Sequence, residues 1–380
     1  MHEKNMSENV NGNGRLLSLD VLRGFDLMLL VGLQPVLRAV LLELDCDVLN
    51  NTLLYQLDHA EWEGLRVWDL VMPLFLFMSG VTMPYSLPKY RAKSGEWGVW
   101  KHILKRFLLL FLLGILVQGN ILALDPGRVY LYSNTLQAIA VGYLIAAPLV
   151  LYMKPTWQLV AIAALLLVYS IPMHLLGDWS AQGNFACLVD KAILGRFRDG
   201  SVLAPDGSVL FAVWYDYTWL WSSLTFGCTV ALGSYAGHLA RSGNDNRPAV
   251  AKRLLLMGAV LLVLGLLVGI WQPVIKRVWS ASMVLSSAGW CYLLLALFYW
   301  WIDVKGHNKG WQWLLYYGCN AITAYLIGEL VNLRGIASSL LYGTEQYLGD
   351  WYGVLLTLCN SLLLFVCLRF MYRNRIFLKV

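Results

Sequence analysis

A chain of 380 residues that is 58 % hydrophobic and only 14 % charged carries more apolar surface than one soluble core can hide, and its apolar runs recur at lengths of about 20 residues. This excludes a water-soluble enzyme and points to a polytopic membrane protein. The net charge of +6 calls for no nucleic-acid partner, because the basic residues gather in the connections on one side of the predicted bundle.

The apolar runs lack the dyad alternation of barrel strands, and backbone groups in lipid must be satisfied within each segment. The expected fold class is therefore all-α, with about ten transmembrane helices. They fall near residues 16–43, 67–88, 102–122, 131–153, 156–176, 217–240, 251–270, 279–302, 311–333 and 352–372. Residues 1–15 are polar and rich in glycine and asparagine, which predicts a disordered cytoplasmic tail. The segment after it lacks a small-residue cleavage signature, so the first span is expected to be retained and residues 16–380 to form one transmembrane domain.

Within the first span, Asp20 and Arg23 are three apart and share a helix face, where they can pair to neutralise each other or meet a substrate. Asp26 lies in the same span. Gln34 is about three turns beyond Arg23, roughly 16 Å further along the helix, where its amide can bond a substrate or another helix.

The connection over 44–66 is acidic, and that over 177–216 is the longest, with turn formers at Pro205, Asp206 and Gly207. These two are the expected substrate-facing elements. The first runs into HAEWEGLRVWDLVMPLFLFMSG, residues 59–80, where a histidine and several acids meet an apolar segment. A neutral imidazole at His59 can take a proton from an amine or hydroxyl nucleophile; taken alone, it also fits a solvated connection. Asp58, Glu61, Glu63 and Asp69 all offer carboxylates to orient the ring, and Trp62 and Trp68 suit a headgroup interface. Asp69, near the start of an apolar helix, is both a first-turn partner for the helix dipole and a functional candidate.

The eighth span opens PVIKRVWSASMVLSSAGW, placing Lys276 and Arg277 beside Ser280, Ser282, Ser286 and Ser287. Such small residues let helices approach closely, and a basic pair beside hydroxyls can also hold phosphate or carboxylate. Asn320 and Glu329 in the ninth span are expected to face the bundle interior, since burying them without partners is costly. Five of the seven cysteines fall within spans as small apolar residues; Cys46 and Cys187 fall in connections, where pairing depends on an oxidising compartment.

With ten spans, 19 basic residues fall on one side and 9 in the opposite connections, which predicts that both termini are cytoplasmic. No internal repeat suggests inverted halves.

Asp20 with Arg23 and Gly24, then His59, Trp62, Gly64, Asp69, Leu70, Pro73 and Phe75, then Leu136 and Gln137, then Lys276, Trp279, Ser282 and Gly289, and finally Gly318, Asn320 and Tyr325 form an ordered series from the first span to the ninth. The series resembles the heparan-α-glucosaminide N-acetyltransferase-like family of transmembrane acyltransferases. The resemblance implies an acyltransferase-type helical bundle, acetyl-CoA as cytoplasmic donor, and the amine or hydroxyl of a sugar on the far side as acceptor. It makes His59 the catalytic histidine, Asp69 its supporting acid and Asn320 the polar position of the ninth span. Relatives often carry asparagine where this chain has Gln34, and residues 216–224 match only loosely.

The expected site is then His59 and Asp69 for catalysis, Gln34, Lys276, Arg277, Ser282 and Asn320 for the donor, and Asp20, Arg23, Asp58 and Glu61 for the acceptor. No metal is expected. The expected setting is the inner membrane, with lipids and a saccharide acceptor as partners, and a homodimer is left open. His59 serves either as general base for direct attack or as an acetylated intermediate. Two rivals stand beside the enzyme: a transporter or lipid-binding protein using its intramembrane ionisable residues, and an acyltransferase-like scaffold without activity.

Overall fold

The structure, a computed structural model, describes residues 16–241 and 246–378; the expected N-terminal tail lies outside the described residues. In chain order the helices are α1 Leu17–Leu44, α2 Val71–Val81, α3 Met83–Gln118, α4 Thr135–Tyr152, α5 Pro155–Leu175, α6 Phe185–Leu194, α7 Ser223–Arg241, α8 Arg247–Gly269, α9 Ala281–Val304, α10 Gln312–Cys319, α11 Ala321–Leu330, α12 Leu333–Leu340 and α13 Glu345–Arg373. Between α6 and α7 lies an antiparallel hairpin, β1 Ser201–Leu203 with β2 Val209–Phe211, paired Ser201 to Phe211 and Leu203 to Val209. Its turn carries Gly207 at φ 85°, at the predicted turn formers.

Among the described residues six helices, α1, α4, α5, α8, α9 and α13, are long and apolar enough to cross a membrane, and α11 is a shorter apolar helix. The chain is thus a helical membrane protein. Several expected elements differ: helical turns run over residues 47–57 and 185–194 of two expected connections, and the ninth expected span breaks at Asn320. The charged stretch over 89–106 is helical rather than a loop, broken only at Gly95 (φ 68°, ψ −171°) inside α3. Lysine, arginine and glutamate are good helix formers, so charge removes a segment from the bilayer without unwinding it.

The chain divides into two compact units. Unit 1 comprises the described residues up to His59, Arg66–Val71 and those from Leu294 onward. In it α1 crosses α10 at glycines: a Cβ on Gly24 would lie 2.0 Å from the Leu314 carbonyl oxygen, and one on Gly318 would lie 2.2 Å from that of Asp20. Only residues without a side chain let the two backbones meet at this distance. Val21, Ile302, Leu314 and Leu315 pack around the crossing. In α13, Ser361 reaches the Gly32 carbonyl of α1, and Thr357 meets Arg334 of α12.

Unit 2 comprises Ala60–Leu65 and Met72–Leu293. Its centre is α7, which is buried along most of its length and packs against α3, α4 and α5. Its glycine, serine, threonine and alanine residues lower its hydropathy but allow close packing. Beneath the long connection, Tyr169, Met173, Ala186, Ile275 and Val278 form a core flanked by Trp62 and Trp179. In the same unit Asp190 of α6 accepts backbone N–H bonds from Trp219 at 2.7 Å and Leu220 at 2.9 Å. Burial pushes its carboxyl up to about 6, against the opposing pull of those bonds and of Arg198.

Candidate functional site

The geometry begins with a single turn. Asp69 sits in the 3₁₀ turn Val67–Leu70, where its backbone N–H donates to the Arg66 carbonyl at 3.0 Å and its Oδ2 accepts from the Arg66 N–H at 3.0 Å. This reciprocal cap fixes the carboxylate and buries it. The other oxygen, Oδ1, lies 2.8 Å from His59 Nδ1. The His59 side chain remains 39 % exposed while that of Asp69 is 1 % exposed, so the acid is sealed and the base is open. A carboxylate only accepts, so Nδ1 is the donor and the neutral ring keeps its lone pair on Nε2. The Trp68 ring flanks the imidazole at 6.3 Å between centroids.

The residues before His59 are held from α1. Gln34 Nε2 donates to the Leu57 carbonyl at 3.0 Å, and Arg38 Nε pairs with Asp58 Oδ1 at 3.5 Å. The two stand four apart, on one helix face, just beyond a π-helical turn at Leu29–Leu33. One extra residue in a turn rotates the remainder of the helix by about 100°, which is how residues 34 and 38 come to face this segment. Gln56 Oε1 accepts from the Val67 N–H at 3.1 Å, and the Arg66 guanidinium lies 3.7 Å from the Tyr55 ring centroid. The chain on both sides of the dyad is therefore tied together within unit 1.

Of the carboxylates offered by the sequence, Asp69 takes the histidine, Asp58 takes Arg38, and Glu61 and Glu63 are exposed. Asp20 is buried and pairs with Arg23 at 3.8 Å. Asn320 occupies the break between α10 and α11, buried, and neither its Oδ1 nor its Nδ2 finds a hydrogen-bond partner among the described residues. The same holds for both carboxyl oxygens of Asp26.

The remaining expected residues lie in unit 2. Gly64, at φ 120°, lets its N–H reach the Val274 carbonyl at 2.8 Å, and Glu63 bridges Ile275. Trp62 donates its indole N–H to the Trp179 carbonyl at 2.7 Å. Glu61 is carried on this turn. Beside it, Lys276 is buried and Arg277 forms an ion pair with Asp216, its guanidinium also 5.6 Å from the Tyr217 ring centroid. Ser282 Oγ donates to the Pro273 carbonyl at 2.9 Å and meets Ser280 at 3.0 Å. Trp279, at φ 53°, is held by an indole bond to Thr229 at 3.0 Å.

Sequence reasoning missed Arg38, Gln56, Arg66 and Asp216. Two had a signal. Arg38 lies one helical turn from Gln34, and Arg66 stands three before Asp69, the spacing of a reciprocal cap. Gln56 and Asp216 had none, because their partners are set by tertiary placement. Cys46 is an exposed free thiol, and Cys187 is a buried one that accepts from Arg198 at 3.7 Å.

Comparison with known proteins adds a second line. The family described as "Heparan-alpha-glucosaminide N-acetyltransferase, catalytic" matches residues 15–185, which contain the dyad and α1. The heparan-alpha-glucosaminide N-acetyltransferase of Homo sapiens is 24 % identical over 371 residues, covering 83 % of this chain and 53 % of the relative. That of Mus musculus is 24 % identical over 328 residues, covering 72 % and 49 %. The chain spans about half the length of the curated relatives it matches. The resemblance read from the motifs is borne out: this chain is similar to the heparan-α-glucosaminide N-acetyltransferases.

Proposed function

We propose that this chain is a membrane-integral acetyltransferase that moves an acetyl group from cytoplasmic acetyl-CoA to an amino sugar or other saccharide acceptor on the outer side of the membrane. The observation that carries the reading is the His59–Asp69 dyad, an open imidazole oriented by a sealed carboxylate. In the direct route the acceptor nitrogen or oxygen attacks the thioester carbonyl carbon while His59 Nε2 takes its proton. The C–S bond then breaks, and the imidazolium returns the proton to the departing thiolate. In the covalent route Nε2 attacks the thioester carbon and the C–S bond breaks to release the CoA thiolate; the acceptor then displaces the imidazole from the acetyl group, and the freed imidazole takes the acceptor's proton.

In this reading residues 16–380 act as one transmembrane acyltransferase domain of ten spans in the inner membrane, with both termini cytoplasmic. The basic bias of 19 to 9 supports the orientation. Gln34, Lys276, Arg277, Ser282 and Asn320 are assigned to the donor, and Asp20, Arg23, Asp58 and Glu61 to the acceptor. Gln34, Ser282 and Arg277 already serve Leu57, Pro273 and Asp216, so binding through them exchanges a protein partner for a ligand one. The Asn320 amide, which has no hydrogen-bond partner among the described residues, needs no such exchange.

The test is release of free CoA by purified protein given acetyl-CoA and a panel of amino sugars. The expected result is release that depends on the acceptor and is lost in His59→Ala. Equal release with and without His59 contradicts the proposal. Sugar flux across proteoliposomes without CoA release would favour the transporter.

A further inference from the structure

In unit 2 the helix α3 is a hairpin rather than a rod. Its Tyr90 and His102 rings are stacked, 3.8 Å between centroids and 15° between planes; a continuous helix would hold them about 18 Å apart. The chain therefore reverses at Gly95, whose φ of 68° only glycine adopts readily. The turn is fixed to the C-terminal end of α4. Arg91 Nη1 donates to the Leu151 carbonyl at 3.2 Å and its Nε pairs with Glu96 at 2.7 Å, while Tyr152 donates to Glu96 and takes the Trp100 indole N–H at 2.8 Å. Since α4 is long and apolar enough to cross a membrane, this end of it belongs at a bilayer surface.

Two details separate the turn from a connection that is basic only for orientation. Glu96 is the one acid of α3 and is taken by Arg91, whereas Lys89 and Lys93 on the first arm and Lys101 and Lys105 on the second are all exposed. The second arm also presents a stripe. Trp97, Lys101 and Lys105 recur every four residues on one helix face, and Leu108 and Leu112 continue that face along the apolar half of α3. Trp97 is 79 % exposed, Leu108 55 % and Leu112 60 %. In a membrane protein exposed leucines of this kind meet acyl chains, a tryptophan suits the headgroup level, and lysines at that level attract anionic lipid.

We propose that this stripe binds an anionic phospholipid, its acyl chain along Leu108 and Leu112 and its phosphate-bearing headgroup at Lys101 and Lys105. Lys89 and Lys93 on the other arm add to the positive field. Lipid binding here is independent of the acetyl transfer proposed above.

The experiment measures the association of acyl-chain spin-labelled phosphatidylglycerol and phosphatidylcholine with the full-length protein in phosphatidylcholine bilayers, read as the motionally restricted fraction. Phosphatidylglycerol is expected to associate about threefold more strongly. The preference should fall toward unity in about 0.5 M sodium chloride, and about 20 mM inorganic phosphate at matched ionic strength should leave it intact. Replacing Lys89, Lys93, Lys101 and Lys105 by glutamine should abolish it. Replacing Lys305, Lys309, Arg369 and Arg375 of unit 1 removes the same charge and should leave it unchanged. The milder pair Lys101→Gln with Lys105→Gln should remove most of it, and serves if the fourfold variant fails to fold. Equal association of the two lipids with the wild-type chain overturns the site, as does an equal loss in both fourfold variants. Loss of the preference in phosphate at matched ionic strength assigns the lysines to free phosphate and overturns the lipid.

Discussion

Unit 1 and unit 2 each bring charged groups together in the connections beside apolar helices, but they resolve the charge differently. In unit 1 the buried Asp69 is paired with a histidine whose ring is 39 % exposed, so a base is held in one orientation and left accessible. In unit 2 the Arg277 guanidinium is closed on Asp216, and Ser282 and Ser280 are turned onto each other and the Pro273 carbonyl. The first arrangement leaves a ring nitrogen able to exchange a proton; the second consumes its groups in holding the connection. The proposed catalytic role of His59 rests on that exposure.

The contrast is broken most severely at His59. Replacing it with alanine should lower kcat/KM by about 10²–10⁴, the usual contribution of a general base. The half-exposed ring packs little, but its loss takes one hydrogen bond from the buried Asp69 carboxylate, so stability should fall by about 1–3 kcal/mol while the fold is kept. Normal turnover in purified His59→Ala would remove the distinction between the units.

Asp190 sharpens the comparison from the unit 2 side. Its folded-state carboxyl is raised to about 6 by burial. The folded chain therefore keeps a proton that the unfolded chain loses near pH 4, and stability falls as pH rises between those values and levels off above. Relative to Asp190→Asn, the unfolding free energy should drop by at most about 3 kcal/mol from pH 4 to pH 6. A rise across that window, measured by denaturant titration, would contradict the assignment.

Breaking the closed ion pair comes next. Asp216→Asn leaves the Arg277 charge partly buried without its acid, at a cost of about 2 kcal/mol, below the 3–5 kcal/mol for fully buried pairs because Arg277 retains some exposure. Adding Arg277→Gln should recover part of that loss. If Asp216→Asn leaves stability intact but raises KM for acetyl-CoA, the pair serves ligand rather than fold.

The smallest effect is expected at Gln34. Gln34→Leu removes the bond to the Leu57 carbonyl and should lower kcat about fivefold, in line with one hydrogen bond of about 1 kcal/mol, with little change in either KM. A large rise in KM for acetyl-CoA instead would make Gln34 a donor ligand.

Much of this was legible in the sequence because apolar runs of membrane length have few alternatives: the described chain is mostly helical, and six of its helices are long and apolar enough to cross a membrane. What escaped were interruptions and extensions set by local conformation. The π-turn at Leu29–Leu33, the break at Asn320 and the helical course of residues 89–94 leave no mark in hydropathy. The hairpin over 201–211 was visible only as its turn. For the site, His59 and Asp69 were each legible from the block at 59–80, but four acids competed for the ring. The choice was made by the local Arg66–Asp69 cap and by Arg38 taking Asp58, the second of which depends on how the segment folds back on α1.

The central claim is that Asp69 acts through His59 rather than on substrate. A double-mutant cycle on kcat/KM with His59→Ala, Asp69→Asn and both together tests it directly. The account predicts that Asp69→Asn alone costs less than His59→Ala, and that the double variant is no slower than His59→Ala, because an orienting group has nothing left to orient. Losses that multiply across the two sites would contradict it and give Asp69 a role of its own.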